Sequence, residues 1–448
     1  MTTATDAPPS PDFGALVRCF TRIGFLSFGG PAGQIALMHR EIVDDRQWID
    51  EGAFLHALNF CSLLPGPEAQ QLATWIGWRL HGLAGGLVAG MLFILPGALL
   101  MLLLSALYVA AAGVGWFEAL FLGIKAAVLA IVVQALIRIS ARALTTPLRR
   151  AIAVSAFAAL AIFALPFPVV ILAALATGAA AARWRPAMLG LAPLGAKAGG
   201  KDAGQPWRQS LSALMLWGMI WAAPLLLILL LLGRDHVLWD IGAFFSQLAV
   251  VSFGGAYAAL AYMAQEGVSG LGWLRPAEMA DGLGLAETTP GPLILVTQFV
   301  GFIAAWRDAA PFTPWIAGLL GAGVTLWATF APCFLWIFTF APWIDRLERA
   351  PAVRGALAAV TAAVVGVIAN LSLWFALHTL FERLTVVSAG PVKAQLPMLS
   401  SLDGAAAALA ALAFLLLFRW RFNVLTLLAC CAVGGILWTL LAPLLDFG

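Results

Sequence analysis

Apolar runs of helical length follow one another along nearly the whole chain, separated by short polar or Gly/Pro-rich stretches. The pattern predicts helices over 14–29, 53–64, 67–82, 86–112, 116–138, 148–165, 168–183, 211–232, 239–254, 280–304, 313–341, 355–380, 404–418 and 422–443. A helical crossing of a bilayer consumes about 20 apolar residues, so several of the early runs are too short to cross alone. The stretch from Ala181 to Gln209 differs in kind. It carries Arg183, Arg185, Lys197, Lys201 and Arg208 against the single acid Asp202, with several Gly and Pro residues, and is expected to be a cytoplasmic linker between two halves.

The two halves are related. Residues 20–41 and 245–266 align without a gap at a spacing of 225: Phe20 with Phe245, Ser27-Phe28-Gly29-Gly30 with Ser252-Phe253-Gly254-Gly255, Met38 with Met263 and Glu41 with Glu266. Trp48 then falls on Trp273, and Pro65-Gly66-Pro67 on Pro290-Gly291-Pro292. After about 11 extra residues around Trp306 to Trp315 the spacing becomes 236, and Gly85, Pro96, Ala126, Ala127 and Val128 meet Gly321, Pro332, Ala362, Ala363 and Val364. An internal repeat of this length points to a transporter-like duplication.

Charge gives the orientation. Arg138, Arg142, Arg149 and Arg150 flank one short loop, and the linker is a second basic loop, so both are expected inside, as are 342–354 and the turn at Arg419 and Arg421. One helix between the halves then inverts the second relative to the first. The expected fold class is an all-α polytopic membrane protein whose two inverted-topology repeats bring broken helices together at the midplane. The expected division is a disordered tail at 1–12, a first repeat at 13–183, the linker at 184–210, a linking helix at 211–233 and the inverted repeat at 234–448. The N-terminus is expected in the cytoplasm and the C-terminus outside.

Composition narrows the class further. Of 448 residues, 62% are hydrophobic and 10% charged, with a mean hydropathy of +0.95, which excludes an ordinary soluble domain. The net charge of +3 is not gathered into a basic cluster that could follow a phosphate backbone, so no nucleic-acid partner is expected. Cys19, Cys61, Cys333, Cys430 and Cys431 lie in apolar stretches without metal-ligand spacing and are read as buried small hydrophobes. The first dozen residues lack the basic start of a cleavable signal peptide. Gly195 to Lys201 mimics part of a phosphate-binding loop, but Asp202 replaces the required Ser or Thr and no strand precedes it. No catalytic motif, cofactor or metal is expected.

Helix breakers inside apolar segments mark the candidate site: Gly29, Gly30 and Pro31, then Pro65, Gly66 and Pro67, with Gly254, Gly255 and Pro290, Gly291, Pro292 as their repeats. Irregular backbone at membrane depth is tolerated only where protein or a water-filled cavity satisfies it. A half-helix starting after each break aims free amides and the positive end of its dipole at the centre, where an anion could lie. The alternative for any one break is a kink or a close-packing contact. The candidate substrate-binding set is Arg22, Ser27, Gly29, Gly30, Pro65, Gly66, Glu68, Gln70, Lys125, Gly254, Gly255, Thr289 and Gly291, with Glu68 and Glu287 as candidate coupling carboxylates. Arg22 is open to two readings, a forked oxyanion ligand or an interfacial arginine reaching the cytoplasm. Lys125, in mid-helix, is expected to be paired or cavity-facing. Glu68 is either a proton carrier or a cap for free amides. The mixed charges at 38–51 suggest an interfacial helix laced by ion pairs.

The run FTRIGFLSFGGPAGQIALMHREIV, then LNFCSLLPGPEAQQLATWIGWRLHGLAGGLVAGMLFILP, with the later SFGGAYAALAYM and TTPGPLILVTQFVGF, resembles the long-chain, two-domain chromate transporter family. The likeness covers both halves. Trp75 stands where Tyr is frequent and Gly97 where Ser is common. The resemblance implies export of chromate across the bacterial plasma membrane, conferring chromate resistance, with sulfate as a competing dianion. The implied partners are chromate, sulfate and the lipid bilayer, with a homodimer left open. A passive anion channel, or a transporter of sulfate or another oxyanion, is the alternative.

Overall fold

The computed structural model describes residues 11–111, 113–191, 207–253, 255–344, 350–390 and 392–445, with side chains described up to residue 441. Gly254, the tail at 1–10 and the linker at 192–206, with its phosphate-loop mimic, lie outside the described residues. Sixteen α-helices and one two-stranded hairpin account for most of what is described. Seven of the helices are long and apolar enough to cross a membrane. The protein is an all-α, multi-pass membrane protein.

The first half opens with α1 (Phe13–Leu26), whose N-terminal amides are capped by Asp12. The chain then breaks at Ser27 to Gly29, and α2 (Gly30–His39) restarts with Pro31 in its first turn, where proline's missing amide costs nothing. A widened turn at Arg40–Asp44 leads to α3 (Glu51–Cys61). After Pro65-Gly66-Pro67 comes α4 (Glu68–Ala110), which is two arms folded at His81 and Gly82, both outside helical geometry. α5 (Gly115–Ala143), α6 (Pro147–Ala161) and α7 (Phe167–Trp184) complete the half.

The second half repeats this order. α9 (Val237–Val251) ends at Ser252, α10 (Ala256–Gln265) follows its break and runs into a widened turn at Glu266–Gly270, and α11 (Pro276–Thr288) precedes Pro290-Gly291-Pro292. α12 (Val296–Arg307) and α13 (Pro314–Phe340) form the hairpin equivalent to the arms of α4, and α14 (Pro351–Leu380) corresponds to α5. α15 (Gly404–Phe414) and α16 (Val424–Leu445) close the chain.

α2 and α10 lie outside every apolar run expected to be helical, and three further details differ from the sequence expectation. The apolar run at 280–304 is two helices, because Thr289 to Pro292 interrupts it. At 38–51 helix persists only to Asp44, although the ion pairs are present: His39 contacts both Asp44 and Glu51, and Arg46 holds Glu41. The loop around 385–400 is a hairpin, β1 (Leu384–Ala389) against β2 (Val392–Pro397), pinned to the α6–α7 turn by the Lys393 amide donating to the Ile162 carbonyl at 2.8 Å. Its sequence, TVVSAGPVKAQ, combines β-branched residues with a Gly-Pro pair.

Lipid offers apolar side chains no gain from pairing with one another, so close backbone approach has to hold such helices together. The α4 arms meet at Gly77 and Gly85, and the α12–α13 hairpin in a like contact at Gly301 and Gly321. Gly178 of α7 abuts Gly355 of α14, and Gly123 of α5 abuts the Cys431 backbone of α16. The linking helix α8 (Trp207–Leu232) is the exception. Only Ser210 is buried on it, and Leu226, Leu227, Leu230 and Leu231 are exposed. It leans on α13 and the short turn after it through two indoles, Trp327 donating to the Trp221 carbonyl (3.1 Å) and Trp343 to the Ser210 hydroxyl (2.7 Å). So apolar a surface is matched to lipid.

Replacing Gly77 by Val would drive a side chain into the Gly85 carbonyl. The expected loss is about 3 kcal/mol, the upper part of the usual overpacking range. Gly218→Ala in α8 has open space around it and is expected to be neutral or stabilising by up to about 1 kcal/mol. Thermal unfolding in detergent, followed by the monodisperse fraction, reads both.

Candidate functional site

The four breaks meet in two reciprocal pairs. The Gly66 amide, in the second break of the first half, donates to the Ser252 carbonyl in the first break of the second half (3.0 Å). The Gly291 amide, at the position equivalent to Gly66, donates to the Ser27 carbonyl, equivalent to Ser252 (2.8 Å). Further contacts obey the same two-fold relation. Gly97 of α4 packs so tightly on the Pro290 carbonyl that no Cβ fits, and its equivalent Cys333 on α13 lies against Gly66. The duplication seen in the sequence is thus a spatial exchange, each half completing the other's broken backbone.

The glycines are there for their geometry. Gly29, Gly30, Gly66, Gly255 and Gly291 all have positive φ, from 72° to 109°, which L side chains rarely adopt. Beside Gly29, Gly30 and Gly255 there is open space where a side chain would stand. At the starts of α2 and α10 the backbone therefore borders room that no described side chain fills.

Polar side chains support the breaks. Gln34 on α2 donates to the Gly291 carbonyl at 2.6 Å, crossing between the halves, and Gln71 on α4 donates to the Pro65 carbonyl at 2.6 Å. Gln70 donates to the Thr74 hydroxyl at 3.0 Å. All three glutamines are buried, and their side-chain oxygens have no partner among the described residues. Buried acceptors in this condition are costly and are normally met by water or ligand.

The remaining candidates are distributed around these pairs. Ser27 turns its hydroxyl back onto the Ile23 carbonyl (2.6 Å), and Thr289 donates to the Leu285 carbonyl (2.7 Å). Glu68, in the first turn of α4, accepts from the Ser62 hydroxyl at 3.0 Å, and the buried Glu287 accepts from Tyr257 at 3.1 Å. Arg22 is turned to the periphery, its side chain 59% exposed and 3.5 Å from the buried Glu41, which Arg46 also holds. Lys125 is paired with Asp281 of α11 across the two halves at 3.3 Å, and the Tyr108 hydroxyl donates to the same carboxylate at 2.7 Å. Both cations of the expected set thus already face carboxylates. Gln34, Gln71, Tyr108 and Tyr257 were not singled out from the sequence. Gln34 and Gln71 leave no mark in the repeat because Ala259 and Val296 stand at their equivalents; an amide side chain three or four positions after a break is the only signal they give.

The chromate transporter family pattern matches twice, over residues 14–179 and 239–436. The chain belongs to the chromate transporter family. It is 32% identical over 378 residues to a chromate transport protein of Pseudomonas aeruginosa, covering 82% of each chain. It is 28% identical over 374 residues to a chromate transport protein of Cupriavidus metallidurans, covering 84% of this chain and 85% of that one. A probable chromate transport protein of Synechococcus elongatus is 29% identical over 367 residues, 81% of this chain and 84% of the relative. No solved structure gives a significant match. The two family matches coincide with the two halves whose breaks pair, and the polar belt just described is what this family member places between them.

Gln34→Leu and Gln71→Leu each strip a donor from a buried break carbonyl and are expected to cost about 1–3 kcal/mol. Arg22→Gln, acting on a half-exposed contact, should cost no more than about 1 kcal/mol. Denaturation in detergent distinguishes them, and equal losses at all three positions would contradict the assignment of the glutamines to the breaks.

Proposed function

We propose that the protein is a secondary transporter that exports chromate, a sulfate-like dianion, across the bacterial plasma membrane and so confers chromate resistance. The observation that carries the reading is the reciprocal exchange between breaks, which sets left-handed glycines and half-helix starts beside open space. A tetrahedral dianion is suited to converging amides of this kind, because several N–H donors share its charge without a fixed cation beside each oxygen. Chromate itself is taken from the named activity of the relatives. In this reading the substrate set is the one anticipated from the breaks, with Gly29, Gly30, Gly66, Gly255 and Gly291 supplying backbone geometry, Gln70 a side-chain amide, and Glu68 acting chiefly as a cap.

The halves are proposed to be inverted about α8, with the boundaries at 13–183, 184–210, 211–233 and 234–448, the N-terminus inside and the C-terminus outside. The contact of the hairpin with the turn at Ile162 supports one face for both segments, as this topology requires. Alternating access then consists of one pair of junctions opening while the other stays closed. Export of a dianion from a negative interior is electrically downhill. Two charges crossing 100 mV release about 4.6 kcal/mol, from roughly 2.3 kcal/mol per charge, equivalent to a gradient of more than about a thousandfold.

Labelled chromate flux in proteoliposomes tests the reading. Saturation, and acceleration by unlabelled chromate or sulfate on the opposite side, are expected of a carrier; linear flux without counter-exchange would establish a channel. Gly29→Leu should abolish flux. Gly29→Asn, which tolerates left-handed backbone, should fold normally and still lose at least about tenfold in flux, because its side chain enters the space beside the amides. Full activity of a well-folded Gly29→Asn protein would move the site elsewhere.

A further inference from the structure

The carboxylate of Asp281 joins three helices drawn from both halves. It is buried on α11, its Oδ1 lies 3.3 Å from the Lys125 ammonium of α5, and its Oδ2 accepts from Tyr108 of α4 at 2.7 Å. Lys125 is the only lysine within any of the apolar helices among the described residues. As a closed pair, Lys125 and Asp281 present no net charge to an arriving anion. Were Asp281 neutralised, the same site would hold one uncompensated positive charge in a medium of low dielectric, where its pull on a dianion is strongest.

We propose that Asp281 is the proton-coupling residue of the transporter: taking up a proton frees Lys125 to bind the oxyanion, while Tyr108 keeps hold of the protonated carboxyl. The proposal rests on the anion-transport reading above and adds to it the residue that links anion to proton. A proton from water joins the carboxylate as the anion reaches Lys125, and it leaves when the anion departs and the pair re-forms. Each anion then carries a proton, so the net charge moved is one rather than two and the flux senses a pH gradient as well as the potential.

The neighbouring charges leave this role to Asp281. Glu278, one turn earlier on α11, is already compensated by Arg275 (2.6 Å) and by Arg307 of α12 (2.5 Å). Glu287 on the same helix is bonded to Tyr257, and Glu68 to Ser62; neither forms an ion pair among the described residues. Besides Lys125, α5 carries Glu118 near its start and Arg138 and Arg142 near its end. α14 has Arg354 and His378 near its two ends, the widened turn after α10 has Glu266, and α16 has only the thiols of Cys430 and Cys431. Among the described residues, Asp281 alone ties up a cation that an anion in mid-helix could use.

Binding of chromate and of sulfate to the purified full-length protein, measured from about pH 5 to about pH 8, tests the proposal. Chromate titrates in this range itself, but identically against every variant, so the ratio of wild-type to Asp281→Asn affinity isolates the protein's proton; sulfate stays a dianion throughout. The expected ratio falls roughly tenfold per pH unit over the coupled range, with Asp281→Asn binding tightly at every pH and Lys125→Met binding weakly at every pH. Tyr108→Phe, which removes a donor to the ionised carboxylate, should move the wild-type transition to higher pH. The exchanged pair Lys125→Asp with Asp281→Lys should fold and not transport. Parallel pH profiles for wild type and Asp281→Asn, an unmoved transition in Tyr108→Phe, or transport restored by the exchanged pair would overturn the proposal and leave a structural ion pair. Wild-type protein that binds neither anion would instead remove the transport reading and this inference with it.

Discussion

Backbone that leaves helical geometry inside a bilayer exposes amides and carbonyls that water does not reach, and each one left unpaired costs several kcal/mol. This protein opens its backbone four times and answers the cost by exchange. Gly66 reaches Ser252, and Gly291 reaches Ser27, so that each half donates at its second break and accepts at its first. Everything near the centre follows from that requirement: positive φ at Gly66 and Gly291 to turn the amides outward, Gln34 and Gln71 to cover the carbonyls left over, and small or soft residues at Gly97 and Cys333 so that the partner loop can approach. The Gly66 and Gly291 amides each find their partner only in the opposite half, and the two halves are tied together there despite their common origin.

Around this centre the helices are held by close contact of small residues as well as by packed aromatic side chains such as Phe167 on Tyr262 and Tyr108 on Phe299. Gly77 with Gly85 and Gly301 with Gly321 close the two hairpins, and Gly178 with Gly355 draws the outer helices of opposite halves together. Such contacts are short-ranged and geometrically strict, which makes the frame stiff where backbones touch. α8 is the counterexample: it ties the halves in sequence, yet buries almost nothing and uses two indole hydrogen bonds to stay beside α13. The connection that orders the halves is thus separate from the contacts that bind them.

Much of this was legible from residue type and spacing. Ser-Phe-Gly-Gly and Pro-Gly-Pro recur at a fixed interval because only residues of that kind allow the breaks, so a backbone requirement surfaces as a sequence pattern. The short helices α2 and α10 were masked, since each is too brief for an apolar run to announce it, and Thr289 to Pro292 was absorbed into a single long run although Pro and Gly stood there openly. Partner choice left no pattern at all. Lys125 on α5 and Asp281 on α11 are 156 positions apart, and their meeting depends on how α11 approaches α5 after the halves dock. Periodicity describes a helix's faces; it does not name what each face will meet.

The two reciprocal ties between breaks are made by main-chain atoms, and that has a consequence for how such a protein can change over time. Ser27 and Ser252 contribute their carbonyls, while the Ser27 hydroxyl is turned back onto its own helix. A substitution at either serine would leave the carbonyl, and so the tie, where it is. Gly29, Gly30 and Gly255, at the rim of the open space, are held to glycine by their positive φ, but side chains elsewhere around it can vary in size, polarity and charge without undoing these main-chain ties. A lineage built on this frame can try new anions by altering side chains alone, without first having to invent another way to stay folded.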